Sequence, residues 1–447
     1  MPDNDDSAIR SLGDVATLAL EEAQRQGASQ CEADVSVSQG LSVSVRLGAV
    51  DTVEYQRDRG LGVTVYFGKR KGAASTADLT PTAVRETVGK ACAIARYTAE
   101  DPYAGLVEPE ALAREIPDLD LDHPWALTPE AAIELARGCE SEGLAVDRRV
   151  SNSEGAAVNS QRHTGIYANS LGFLAGYSST SHSLSCTLIA QDGDDMQRDY
   201  WWSVARNQAE LDSAALIGRT AGERALARLG ARRLQTRRAP VAYAPEMARG
   251  LFRHFIGAIS GPSQYRKSSF LLNAAGEQVF PAFISMQERP HIPRGLASSP
   301  FDQEGAATHD RELVRAGVLD GYVLGSYSAR RLGLKTTGNA GGIHNLLVDS
   351  AQGGLDREAF LRRLGTGLLV TELMGQGVNG VTGDYSRGAS GFWVENGAIA
   401  YPVHEITIAG NLKDMYRDIV ALGNDVDTRG GIHTGSLLIG EMTIAGE

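Results

Sequence analysis

Cysteine is scarce in this chain. Its 447 residues hold four, Cys31, Cys92, Cys139 and Cys186, none in a CxxC spacing, which argues against a zinc knuckle and a disulfide framework. No cysteine follows Cys186, so the C-terminal half has no thiolate to offer a metal. Cys92 and Cys139 fall on the apolar sides of expected helices, where a buried thiol is the ordinary role. Long hydrophobic runs are missing too: none approaches the roughly 18 residues of a membrane span. The start, MPDNDDSAIRSLGD, is acidic where a signal peptide is basic and then apolar. The expectation is a cytoplasmic protein with no membrane partner. Basic charge is in deficit, 43 Lys and Arg against 55 Asp and Glu for a net charge of −12, which disfavours nucleic acid as a partner. Arg224, Arg228, Arg232, Arg233, Arg237 and Arg238 form a local exception, expected on the solvent face of a helix end where cations complement the dipole.

Hydrolase signatures are absent as well. There is no G-x-S-x-G elbow and no Walker loop. His404-Glu405 opens like a zinc-protease motif, but Ile408 and Ala409 stand where HExxH or HExxxH needs its second histidine. The string HEITI alternates as a strand surface does.

What is present describes an α+β protein. A helix over Ser7–Gln26 precedes alternating strands at 31–37, 41–47 and 63–67, and the turn GKRKG leads into a strand near 73–77. Thr80 and Pro81 then open a second helix. The order recurs: Thr128-Pro129 open a helix, strands run between about 150 and 205, and a helix spans about 208–229. A duplicated unit of helices and antiparallel sheet over 1–235 is expected, with copies at 1–100 and 127–230 joined by the irregular, acidic and proline-rich stretch 101–124. From 236 to 447 the character changes. Of the 51 glycines, 24 lie from Gly321 onward, which points to a β-rich, turn-dense, barrel-like domain. Within it Asn396-Gly397 joins two alternating runs as a hairpin, and DREAFLRRL forms a helix.

The chain is best organised around Pro245–Phe270. Pro245 suits a first helical position and Gly261-Pro262 a stop. Met247, Leu251, Phe255 and Ile259, widened by Phe252 and Ile256, form an apolar stripe with His254 at its edge. The string GLFRHFIGAISG, together with ANSLGF (168–173), VNGVTGDYSRGASGFWVENG and HEITIAGNL, resembles the TldD/PmbA family of metalloproteases, of the "modulator of DNA gyrase" type.

In the catalytic, TldD-type members this segment carries His-Glu-x-x-x-His, with two zinc ligands and a glutamate that activates water. Here His254 remains, Phe255 holds the glutamate position, and Ile259 holds the second histidine position. The third family ligand is a cysteine near the C-terminus; the best-matching loop here reads GGIHTGSLLIG, with His433 and Thr434. A zinc hydrolase needs about three protein ligands and a nearby base. The resemblance therefore implies a PmbA/TldE-type, noncatalytic subunit with no cofactor of its own and zinc in a TldD-like partner. It implies a heterodimer with that partner, a homodimer when alone, and unfolded or modified peptides as substrates. A stand-alone binding or regulatory protein is the alternative, and a metal assembled in space from His254 with His344, His404 or His433 stays open. His344 in GGIHNLL is either a turn residue or part of a peptide groove. Adjacent Trp201 and Trp202 point to opposite faces of a strand, serving an interface or sheet packing. The Thr336–Gly342 stretch has the makings of an anion nest, and Asp384 with Arg387 of either a site for a peptide terminus or a turn ion pair.

Overall fold

The computed structural model describes residues 3–446, and the outermost positions of the two expected domains, Met1, Pro2 and Glu447, lie outside the described residues. The N-terminal half repeats one plan. Helix α1 (Asp3–Arg25), strands β1 (Gln30–Arg46), β2 (Ala49–Phe67) and β3 (Arg70–Thr76), and helix α2 (Pro81–Tyr97) form one unit. Helix α3 (Pro129–Leu144), strands β4 (Val150–Asn169), β5 (Leu174–Asp192) and β6 (Asp195–Ala205), and helix α4 (Ala214–Ala227) form the other. The meanders join through antiparallel β1 and β4 into a single six-stranded sheet of order β3-β2-β1-β4-β5-β6, which is palindromic as a duplication requires.

Two strands expected at 31–37 and 41–47 prove to be one. Gln39 and Gly40 pair on both sides, with Arg57 and Gln56 and with Arg162 and Gln161, so ladder bonds carry the chain straight through its glycine. The alternation of β1 then serves two helix pairs on one face. Cys31, Ala33 and Val35 pack in the core under α1 and α2, while Leu41, Val43 and Val45 pack under α3 and α4. The opposite face carries Glu32 and Asp34. Helices α3 and α4 touch backbone to backbone, since a Cβ on Gly218 would lie 1.9 Å from the Cys139 carbonyl oxygen. The helix expected over 208–229 begins later: residues Gln208–Glu210 form a 3-10 turn, and Ser213, whose side chain accepts from the Leu216 N–H, caps α4.

The C-terminal half runs β7 (Arg237–Tyr243), α5 (Pro245–Ala258), α6 (Gly261–Tyr265), β8 (Ile284–Glu288), β9 (Arg311–Arg315), β10 (Val318–Leu319), α7 (Ser326–Leu332), β11 (Leu346–Ser350) and α8 (Arg357–Leu364). It continues β12 (Gly367–Met374), β13 (Asp384–Glu395), β14 (Ala398–Asn411), α9 (Leu412–Arg417), β15 (Ile419–Leu422), β16 (Ile432–His433) and β17 (Leu437–Ala445). Strand β7 pairs with β12 and β17; β12, β13 and β14 follow in order; β14 returns to β17. That closes a five-stranded barrel and removes its edges. The expected Asn396-Gly397 turn has both residues at positive φ, 52° and 78°, as a primed hairpin requires. A second sheet, β10-β9-β8-β11-β16, lies beside the barrel, and one continuous core joins both.

The arginine cluster divides into a buried and an exposed part. Arg224 and Arg228 pair with buried Asp199, and Arg224 also with Glu246. Arg228 reaches Glu372, Arg233 reaches Glu405, and Arg238 reaches Glu441. Arg232 and Arg237 lie over Tyr401 and Trp393. Arg232, Arg233, Arg237 and Arg238 are exposed as expected, whereas Arg224 and Arg228, at the end of α4, are drawn into buried pairs with Asp199, Glu246 and Glu372. Among the described residues no helix is long and apolar enough to cross a membrane.

Candidate functional site

Helix α5 starts as expected, with Pro245 in its first turn, but it ends at Ala258, and Gly261-Pro262 open α6 instead of stopping a longer helix. The apolar stripe turns inward. Phe255 and Ile259 are 0% exposed; Phe255 meets Phe280 edge-on at 4.9 Å and Tyr416 at 6.1 Å. Positions four apart share a helix face, whereas neighbours diverge by about 100°. His254 therefore looks away from both: it is half-buried and lies edge-to-face on Tyr385 with centroids 6.3 Å apart. Burial lowers its pKa, and the nearby guanidinium groups of Arg387 and Arg253 lower it further.

Thr434 is fully buried, its hydroxyl donating to the Gly435 carbonyl at 3.1 Å. His433 is half-buried with Nε2 3.0 Å from the Gly430 carbonyl. His344 is buried in a network that its sequence context did not announce. Its Nδ1 lies 2.8 Å from Glu288 Oε1, Asn339 donates to the same oxygen, and Arg311 Nε donates to Oε2 at 2.7 Å. Burial alone would raise the Glu288 carboxyl, but the bonds from His344 and the charge of Arg311 hold it at about 2. Asp384 accepts from Thr382 and Asn411, while Arg387 donates to the Met374 carbonyl; the two do not form the expected pair. Among the described residues no three His, Cys, Asp or Glu side chains are grouped to hold a metal.

Trp201 and Trp202 meet the C-terminal half of their own chain. The Arg429 guanidinium lies 4.2 Å from the Trp201 ring centroid and 4.0 Å from that of Trp202. It also donates to the Trp202 carbonyl at 3.0 Å and to Asp427 at 2.9 Å. Trp201 lines a cavity of about 930 Å³ that reaches the N-terminus of α5 at Pro245 and Glu246.

A larger cleft, about 1300 Å³, opens beyond the other end of α5. One wall is the face of the N-terminal sheet away from the helices: Glu32, Asp34, Thr64, Tyr66 and Tyr167, with Lys71, Ala73 and Ser75 at the edge. The other is the loop set of the C-terminal half, including Tyr265, Glu304, Tyr327 and Asn339–Gly342. Tyr66 and Tyr167 donate to the two Glu32 oxygens at 3.0 and 2.8 Å. Burial pushes the Asp34 carboxyl up. Burial also raises Glu304, where the like charges of Asp302 and Glu32 add to it against hydrogen bonds from Ser326. The alternation of Q-C-E-A-D-V was the available signal: a strand with Cys31, Ala33 and Val35 inward puts Glu32 and Asp34 on one opposite face.

Sequence profiles of PmbA/TldA metallopeptidase domains match residues 31–95 (domain 1), 122–229 (central domain) and 236–446 (C-terminal domain). The chain is 51% identical over 436 residues to "Metalloprotease PmbA" of Escherichia coli O157:H7, covering 98% of this chain and 96% of that protein. The chain belongs to the PmbA/TldD metalloprotease family. It is also 47% identical to "Metalloprotease PmbA homolog" of Haemophilus influenzae over 98% of this chain and 96% of that protein. The crystal structure of a candidate modulator of DNA gyrase from Bacteroides thetaiotaomicron superposes with a TM-score of 0.91 at 27% identity, covering 97% and 98% of the two chains.

A metalloprotease family implies zinc, and the residues present do not fit it. Phenylalanine and isoleucine at 255 and 259 are packed into the core, and His254 is flanked by two cations that oppose a third.

Proposed function

We propose that this chain is the noncatalytic PmbA/TldE-type subunit of a cytoplasmic zinc metalloprotease. A TldD-like partner supplies zinc and activates water; this chain completes the assembly that encloses unfolded or modified peptides, and forms a homodimer when the partner is absent. The observation that carries this reading is the inward direction of Phe255 and Ile259, both 0% exposed. The two family positions that would bind metal and activate water are hydrophobic core here. Belonging to a metalloprotease family while lacking the means to hold the metal is what a companion subunit shows.

The test is elemental analysis with a peptidase assay on the chain alone, the partner alone and the two mixed. The expected result is no stoichiometric zinc and no cleavage by this chain, with cleavage on mixing. Zinc and cleavage by this chain alone, both lost in His254→Ala, refute the reading. Mixing that yields neither a complex nor cleavage favours a stand-alone binding role instead.

A further inference from the structure

The palindromic sheet has two end strands, and the C-terminal half treats them differently. Strand β6 is clamped at one point: Arg429 stacks on Trp201 and Trp202 and bonds the Trp202 carbonyl. Strand β3 is open. The two-residue turn Gly68-Lys69 makes Phe67 and Arg70 the closing pair of the β2–β3 hairpin, so alternation directs the N–H and C=O groups of Lys71, Ala73 and Ser75 away from β2. Outside the sheet, the Asp101 N–H bonds the Lys69 carbonyl at 3.0 Å. Among the described residues no such bond reaches Lys71–Thr76.

An open edge is ordinarily blunted by charge or proline. The exposed first half of β2 shows that treatment, with Asp51, Glu54, Arg57, Asp58 and Arg59 along it. The end of β3 does not: after Lys71 it reads Gly-Ala-Ala-Ser-Thr. Of these, Ala73 and Ser75 face the cleft, while Gly72 and Ala74 pack on the side of α2. Cross-strand rows run from Ala73 through Thr64 to Glu32, and from Ser75 through Gly62 to Asp34. The floor between edge and carboxylates is thus nearly free of bulky side chains. Four carboxylates, Glu32, Asp34, Asp101 and Glu304, line the cleft with one cation, Lys71, and Arg331 and Lys69 offset Asp101 from beside it. A cleft with low-dielectric walls and one dominant sign of charge concentrates ligands of the opposite sign.

We propose that β3 is a docking edge for an extended, net-basic peptide segment, which adds to the sheet as a further strand and turns alternate side chains into the acid-lined cleft. Main-chain pairing supplies affinity without demanding a sequence, and the carboxylates select for positive charge. The inference deepens the proposed function and rests on it only in taking peptide as the ligand. It gives this subunit its own part in holding substrate.

Binding is read by fluorescence anisotropy of short labelled peptides of unstructured sequence, using the full chain without its partner. A lysine-containing peptide is expected to bind, and its glutamate counterpart at least about tenfold more weakly, with the difference shrinking as salt rises. Ala73→Pro removes an outward N–H at a position where an edge strand tolerates proline; it is expected to weaken binding about fivefold, the loss of one hydrogen bond, with unchanged circular dichroism. Alternate N-methylation of the peptide should do the same to the unmodified protein, which keeps the test valid if the proline variant fails to fold. Glu304→Gln should reduce the advantage of the basic peptide. Equal binding of the basic and acidic peptides, or binding indifferent to N-methylation, overturns the proposal. Cleavage on mixing with the partner, without peptide binding by this chain, removes the docking edge and leaves the subunit role standing. Peptide binding without partner activation does the reverse.

Discussion

Restoring the family motif by Phe255→Glu with Ile259→His is expected to unfold the protein and not to create a zinc site. Phe255 sits edge-on to Phe280 at 4.9 Å within the core that joins the barrel to the second sheet. Deleting a buried phenylalanine side chain costs about 3–5 kcal/mol. Placing an ionised carboxylate there costs several kcal/mol more, because neither Phe280 nor Tyr416 offers it a partner where the Phe255 ring now packs. Exchanging fully buried Ile259 for histidine adds about 2–5 kcal/mol. The sum, about 8 kcal/mol or more, equals or exceeds the whole stability of an ordinary domain. Urea unfolding followed by circular dichroism, with zinc measured after dialysis, provides the assay. Phe255→Leu serves as the control and should cost no more than about 1.5 kcal/mol. A double variant that unfolds at the urea concentration of the parent and retains one zinc per chain would refute the reasoning, because position 255 would then have to face a polar site.

Two further perturbations probe the joints of the fold. Glu288 is held at about 2, below its ordinary 4.5, so its contribution, about 3 kcal/mol, is fully present above pH 4.5 and drains away as pH falls toward 2. Glu288→Gln should therefore destabilise at pH 7 and show a much smaller deficit at pH 3; an equal deficit at both pH values in urea titrations would contradict this. Arg429→Ala removes two ring contacts and the side-chain bond to Asp427, leaving Asp427 the backbone N–H of residue 429 at 2.9 Å and Arg249 at 3.5 Å. A loss of about 2–4 kcal/mol is expected, with hydrogen exchange quickening first in β6; unchanged protection there would show that the tryptophan clamp does not join the two halves.

The elements that the sequence revealed are those governed by short-range rules. The Thr128 cap accepts from the Ala131 N–H as its position foretold, and Asn396-Gly397 turns the hairpin because both residues tolerate positive φ. What stayed hidden depended on partners distant in sequence. Gln39-Gly40 has the look of a break, and only pairing with two other strands keeps β1 continuous. The arginines from 224 to 238 have no carboxylate neighbour in their own stretch after Glu223; their partners Asp199, Glu372, Glu405 and Glu441 come from as far as 203 residues away. At the candidate site, the replacement of the metal-binding positions was plain in the letters HFIGAI, whereas the direction of His254 away from Phe255 follows from helix geometry together with the burial of one face. The Glu288 network around His344 was invisible for the same reason as the arginine pairs.

Helix α5 ties these observations together. Its inner stripe is sealed in the core by Phe280, Tyr416 and the barrel strands, so the helix acts as a rigid strut. Its N-terminus borders one cavity and the turn after its C-terminus borders the other. The first cavity lies beside the clamped edge β6, and the second beside the open edge β3. A duplicated sheet would present two equivalent edges to this strut, yet Arg429 clamps one with a guanidinium packed on two tryptophan rings, while Ala73 and Ser75 leave the other uncharged and exposed. In a chain whose Phe255 and Ile259 are packed into the core, that asymmetry is the part of the duplication that remains available for work, which is to hold an extended chain on one side and lock the two halves on the other.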